Sequence, residues 1–135
     1  MLTESRAEMA NGLSRKDLLS LEEYALNRHK FREKVMAHKQ LRRVTIGPNL
    51  TIYFESKLTI QYQIQEMLRI EKIFEKQAIK DELNAYNPLI PDSNNLKATM
   101  MLEYVDVDVR RRKLKELRGV ERAIWLEVIG LPRVF

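Results

Sequence analysis

Three periods of apolar and polar residues follow one another along the chain. Helix punctuation opens it: in "SRKDLLSLEEY", Ser14 stands three residues before Asp17 and Ser20 three before Glu23, the spacing of a capping box. A short helical turn and then a longer helix to about Gln40 follow from this. Leu18, Leu21, Ala25, His29 and Met36 are expected on the inner face and Lys30, Glu33 and Lys34 outside. The period then changes to two. Val44 and Ile46, a Gly47-Pro48-Asn49 turn, and Leu50, Ile52 and Phe54 alternating with Thr51 and Tyr53 predict a β-hairpin.

"LTIQYQIQEMLRIEKIF", Leu58 to Phe74, alternates at first like a strand. Its Gln, Glu, Met, Leu and Arg content and apolar steps of three and four nevertheless favour a helix. At ~100° per residue Ile60, Ile64, Met67 and Phe74 share one face with Glu71 in their midst. "KQAIKDELNAY" predicts another helix burying Ala78, Ile79, Leu83 and Tyr86, closed by the proline-bearing loop "NPLIPDSNN". "LKATMMLEYV" reads as a strand with Met100, Leu102 and Tyr104 on one face. Asp106 or Asp108 then caps the basic helix "VRRRKLKELRG", which Gly119 closes; "ERAIWLEVIG" reads as a further strand and "LPRVF" as the start of another. The sum is an α+β fold: N-terminal helices, a β-hairpin, a long central helix and a mainly antiparallel sheet. Residues 1–13 read as a flexible tail and 14–135 as a single domain.

The 135 residues, 44% hydrophobic and 32% charged, are enough for one core. With no cysteine there is no disulfide, thiolate metal site or cysteine nucleophile. No stretch has the apolar length of a membrane span or the layout of a signal peptide, so a cytoplasmic protein away from the membrane is expected. The net charge of +5 comes from bases interleaved with acids, the pattern of a solvated surface.

Phosphate-loop, dinucleotide, zincin, nucleophile-elbow and calcium-loop motifs are all missing. Several candidates remain. A carboxylate within an apolar stripe is a metal ligand, a catalytic acid or half of a buried ion pair. For Glu71 the pair, with Arg42 or Arg43 as partner, is preferred, because an unpaired buried charge costs several kcal/mol. The metal alternative gathers His38, Glu66, Glu71 and Glu103, with Glu55 nearby, as hard ligands for a redox metal in a metal- or small-ligand-dependent enzyme. The paired Glu-x-x-His motifs of di-iron bundles are missing, and no cofactor is expected. A polar row of Tyr62, Gln65, Glu66 and Arg69 offers a small-ligand surface. Arg111, Lys115 and Arg118 offer a phosphate-contacting stripe. Glu116 interrupts that run and no aromatics interleave with it, so a solvated helix is preferred to nucleic-acid binding.

The segments "DLLSLEEY", "MAHKQLRRVTIGP", "YFESKLTIQYQIQEMLRIEKIF", "ELNAYNPLIPDSNNLKATMMLEY" and "LRGVE" together resemble a bacterial family of unknown function. Genes of that family commonly stand beside those for rubrerythrin and a cysteine-rich iron–sulfur oxidoreductase. The resemblance runs from Ser14 to Phe135. It implies an accessory role in a peroxide-stress or electron-transfer system, with those two proteins as partners; no activity is established for the family to lend, and a non-enzymatic interaction partner is preferred to an enzyme. It places His38, Arg42, Arg43, Glu55, Gln63, Gln65, Glu66, Arg69, Glu71, Tyr86, Asn87, Pro88 and Glu103 on motif positions without assigning them chemistry. Members of the family run on past "RVF", which implies a sheet cut short at the C-terminus and an open edge that invites a homodimer.

Overall fold

The computed structural model describes residues 12–135. The chain divides into two compact units, one ending at Met101 and the other running Leu102–Phe135. Most of the expected tail, residues 1–11, lies outside the described residues. Leu13, assigned to that tail from sequence, is instead a buried member of the core.

In the first unit a 3-10 turn, Arg15–Asp17, precedes helix α1, Leu21–Gln40. Both starts carry the capping boxes read from the sequence: Ser14 with Asp17, and Ser20, whose hydroxyl accepts from the Glu23 amide. Strands β1, Arg43–Ile46, and β2, Leu50–Phe54, form an antiparallel hairpin in which Val44 faces Ile52 and Ile46 faces Leu50. Gly47 supplies the positive φ of 66° at the turn. Helix α2, Lys57–Ile70, follows behind Ser56, whose hydroxyl accepts from the Thr59 amide. Helix α3, Lys76–Tyr86, leads through a 3-10 turn, Asn87–Leu89, to strand β3, Ala98–Leu102. The sheet order is β1-β2-β3, and the fold is α+β, with an antiparallel sheet.

Ile60, Ile64 and Leu68, one turn apart on α2, meet Leu83 of α3 and Leu13 from the N-terminal segment. Each such side chain taken fully from water contributes about 1.5–3 kcal/mol. Leu18, Leu21, Ile73, Ile79, Tyr86 and Ile90 pack against this core.

The expected inner face of α1 needs correcting. The buried and half-buried positions are Leu21, Tyr24, Arg28, Phe31, Val35, His38 and Lys39, while Ala25, His29 and Met36 are exposed. The apolar residues of α1 do not form one stripe, and Arg28 and His38 turn inward because each finds a polar partner on or before α2.

The stripe through Glu71 also ends early. The Ile73 amide donates to the Leu68 carbonyl and the Lys72 amide to that of Arg69, with Lys72 in the left-handed region at φ 53°. This is a Schellman closure with lysine where glycine is usual, and it is held by Leu68 and Ile73 packing into the core. Glu71 caps the helix in solvent and Phe74 points away, 72% exposed. No buried pair with Arg42 or Arg43 forms. Arg42 instead donates to the carbonyls of Phe54 and Glu55, and Arg43 is exposed on β1. Glu71→Gln is therefore expected to change the unfolding free energy by no more than about 0.5 kcal/mol in urea titration. A loss above about 1.5 kcal/mol would restore the buried charge.

In the second unit Asp106 caps helix α4, Val107–Glu116, by accepting from the Val109 amide, and Gly119, at φ 86°, follows its end. The stretch expected as a further strand forms a 3-10 turn, Val120–Ala123, and a single antiparallel bridge between Leu126 and Val134. Gly130 turns the chain between them at φ 88°, and Pro132 has no amide proton to extend the ladder. Trp125 and Phe135 meet at 6.0 Å, and the Arg133 guanidinium lies 4.5 Å from the Trp125 ring while bonding Glu127 at 3.1 Å.

Candidate functional site

One cluster of polar and aromatic side chains in the first unit forms where α1 packs on α2. Tyr24, Arg28 and Phe31 come from one helix and Tyr62 and Glu66 from the other. Arg28 grips Glu66 with a fork. Nη2 lies 3.0 Å from Oε1, and Nε donates to Oε1 and Oε2 at 3.1 and 3.3 Å. Phe31 stacks on Tyr62 at 6.1 Å and meets Tyr24 edge-on at 6.0 Å, so the aromatic rings wall the pair on one side. The Lys39 ammonium sits 5.8 Å from the Tyr62 ring centre and equally far from that of Tyr53.

The electrostatics follow from this packing. Burial pushes the Glu66 carboxyl up, but the hydrogen bonds from Arg28 and Tyr62 and the charges of Arg28 and Arg69 outweigh it, so its pKa lies below the ordinary value. Burial and then the hydrogen bond to Glu66 raise Tyr62. Burial, with the Glu66 charge second, pushes Tyr24 up to about 12. The Tyr24 hydroxyl is fully buried and has no hydrogen-bond partner among the described residues.

Beside this network lies an open groove of about 700 Å³, lined by Ala25, Arg28, His29, Arg32, Glu33, Met36 and Arg69. His29 Nε2 lies 3.1 Å from Glu33 across one helical turn.

Of the polar row proposed from sequence, Tyr62 and Glu66 belong to the network and Arg69 lines the groove. Gln65 is occupied elsewhere. Completely buried, it accepts from the Leu19 amide at 2.7 Å and donates to the Leu19 carbonyl at 3.2 Å. Asn87 treats Leu13 the same way, with both bonds at 2.9 Å. Two side-chain amides thus bind the backbone at both ends of segment 13–19 as a neighbouring strand would, and Gln61 adds a bond to the Asp17 carbonyl.

The proposed metal ligands take separate partners. His38 Nε2 meets the Ser56 hydroxyl at 2.8 Å, Glu66 holds Arg28, Glu71 is solvated, and Glu103 lies in the second unit. Among the described residues no group of three or more His, Asp or Glu side chains is placed to hold one metal ion. The one buried carboxylate among the described residues is Glu55, which accepts from the hydroxyls of Thr59 and, at 2.7 Å, Thr99. It fastens the junction of β2 and α2 to β3. On α4, Arg111 and Lys115 are exposed one turn apart, and Arg118 lies beyond the helix end. Arg112 and Lys113 are the ones that reach Glu116. Among the described residues no helix is long and apolar enough to cross a membrane.

Sequence reasoning missed Tyr24, Arg28 and Arg32. A signal was present: Tyr24, Arg28 and Phe31 recur at steps of four and three, but a pattern scored on apolar residues alone passes over an inward arginine.

No curated protein matches the chain. The crystal structure of a novel protein of unknown function from Burkholderia pseudomallei is similar over 91% of this chain and 70% of that one, with 47% identity and a TM-score of 0.87. The family described as "Protein of unknown function (DUF3501)" matches residues 12–135, and the chain belongs to that family.

Proposed function

We propose that the protein is a cytoplasmic accessory factor that acts by docking, with rubrerythrin and a cysteine-rich iron–sulfur oxidoreductase as its partners in a peroxide-stress or electron-transfer system. The observation that supports docking is apolar surface in the second unit. Trp125, Val128, Ile129, Leu131, Val134 and Phe135 are all exposed within eleven residues, Ile129 completely. Burying such side chains in water-excluding contact is the usual source of binding energy at interfaces, and tryptophan anchors are enriched there. The choice of partners rests on the resemblance to a family whose genes neighbour theirs.

The test mixes the purified protein with purified rubrerythrin and with the oxidoreductase of the same host, and reads complex formation by size-exclusion chromatography with light scattering. A complex is expected with at least one of them. The doubly substituted Ile129→Asp, Leu131→Asp protein should bind at least about tenfold more weakly, since two apolar contacts of 1–2 kcal/mol each are lost, while keeping its circular dichroism. No complex with either protein, or a homodimer through these residues that excludes both, would overturn the reading.

A further inference from the structure

We infer that the groove flanked by α1 and α2 is a binding site for a small oxyanion-bearing molecule, with phosphate or carboxylate groups held by Arg28, Arg32 and Arg69. Three guanidinium groups from two helices line one open space, joined by His29 and opposed within the lining by Glu33 alone. The other nearby acid is already committed. Glu66 stands behind Arg28 and takes both Nε and Nη2, which fixes that guanidinium at the groove wall. His29 holds Glu33 to one side.

Arg32 and Arg69 make no ion pair or hydrogen bond among the described residues, although the charge of Arg32 acts on Tyr62 and that of Arg69 on Glu66. The buried Gln65 and Glu55 and the half-buried Asn87 are paired, Gln65 and Asn87 with two backbone bonds each and Glu55 with two hydroxyls, and among the described residues the unpaired Tyr24 hydroxyl is the exception. Unspent cations beside one held rigid form a forked donor set matching the geometry of phosphate or carboxylate, which arginine binds through two parallel N–H donors. Ala25 and Met36 supply apolar wall, and about 700 Å³ lies within the range of small-molecule sites. The volume suits a molecule larger than a bare ion, such as a nucleotide or a polycarboxylate.

The site is independent of the docking surface proposed above, so each stands or falls alone. The experiment titrates the full chain with pyrophosphate, ATP and citrate by isothermal calorimetry at low and physiological salt, with uncharged sucrose as control. Saturable one-to-one binding of at least one anion is expected, and its chemistry names the class: pyrophosphate or ATP without citrate means phosphate, and citrate alone means carboxylate. Arg32→Gln and Arg69→Gln, both at exposed positions, should each weaken binding about tenfold, the loss of one charge-assisted contact. The exposed Lys30→Gln on the same helix should leave binding unchanged. Binding that Lys30→Gln reduces as much as Arg69→Gln does would be non-specific attraction to a basic surface and would overturn the proposal. So would the failure of every anion to bind, or full-strength binding by the double arginine variant.

Discussion

Gln65→Ala is expected to lower the unfolding free energy by about 2–4 kcal/mol, more than most surface or half-buried substitutions cost. The Gln65 side chain has no exposure, and its amide completes both backbone groups of Leu19 in the half-buried link between the first 3-10 turn and α1. Truncation removes the side chain's own packing and leaves a cavity, at a cost like that of other large-to-small core changes. It also strands an N–H and a C=O that water reaches poorly, at about 1–3 kcal/mol for a buried group left unpaired. Gln65→Glu keeps the size and the acceptor but sets a second oxygen against the Leu19 carbonyl, so it should be destabilised as well. The measurement is the midpoint of urea unfolding at an unchanged slope. A loss below about 0.5 kcal/mol for Gln65→Ala would show that the segment 13–19 is held without this clamp. The same result would return Gln65 to the ligand row in which its sequence position first placed it.

What the sequence showed depended on whether a feature was local. Both capping boxes, the Gly47-Pro48-Asn49 hairpin and the α3 face are written in residues a few positions apart, and each forms as read; of the two aspartates offered as cap for α4, Asp106 is the one that forms it. The phase of α1 was not legible, because Arg28 and His38 are inward only by virtue of Glu66 and Ser56, 38 and 18 residues away. Glu71 misled for a related reason. A helix expected to run to Phe74 stops at Ile70 with no glycine or proline to announce it, since Lys72 accepts a left-handed backbone that the packing of Leu68 and Ile73 compensates. The buried carboxylate among the described residues is Glu55, whose partner Thr99 comes 44 residues later. The same limit applies to the candidate site: Arg69 was found because it shares a helix face with Tyr62 and Glu66, whereas Arg28 and Arg32 join it only when α1 is laid against α2.

Raising the pH through the alkaline range is expected to destabilise this protein relative to its Tyr24→Phe variant by on the order of 2–3 kcal/mol, and the sign follows from where the proton is held. An unfolded tyrosine ionises at its ordinary value of 10.0, whereas burial and the Glu66 charge hold Tyr24 in its neutral form up to about 12 in the folded chain. Between those values the unfolded state has released a proton that the folded state still carries, so unfolding is favoured. The difference between the two proteins should be flat below 10.0 and widen from there to about 12, each unit of pKa difference being worth ~1.4 kcal/mol. Tyr62, raised in the same direction, is present in both proteins and cancels to first order. At neutral pH the variant should be as stable as the parent, or more so by up to about 1 kcal/mol, because the hydroxyl it deletes is buried without a partner among the described residues. Chemical unfolding at a series of pH values gives the stability difference, and tyrosinate absorbance gives the delayed ionisation directly. If Tyr24→Phe costs more than about 1 kcal/mol at neutral pH, the hydroxyl is bonded in solution, with Glu66, which already acts on Tyr24 electrostatically, as the expected acceptor. The cluster would then be a closed network in which Glu66 is shared between Arg28 and two tyrosines.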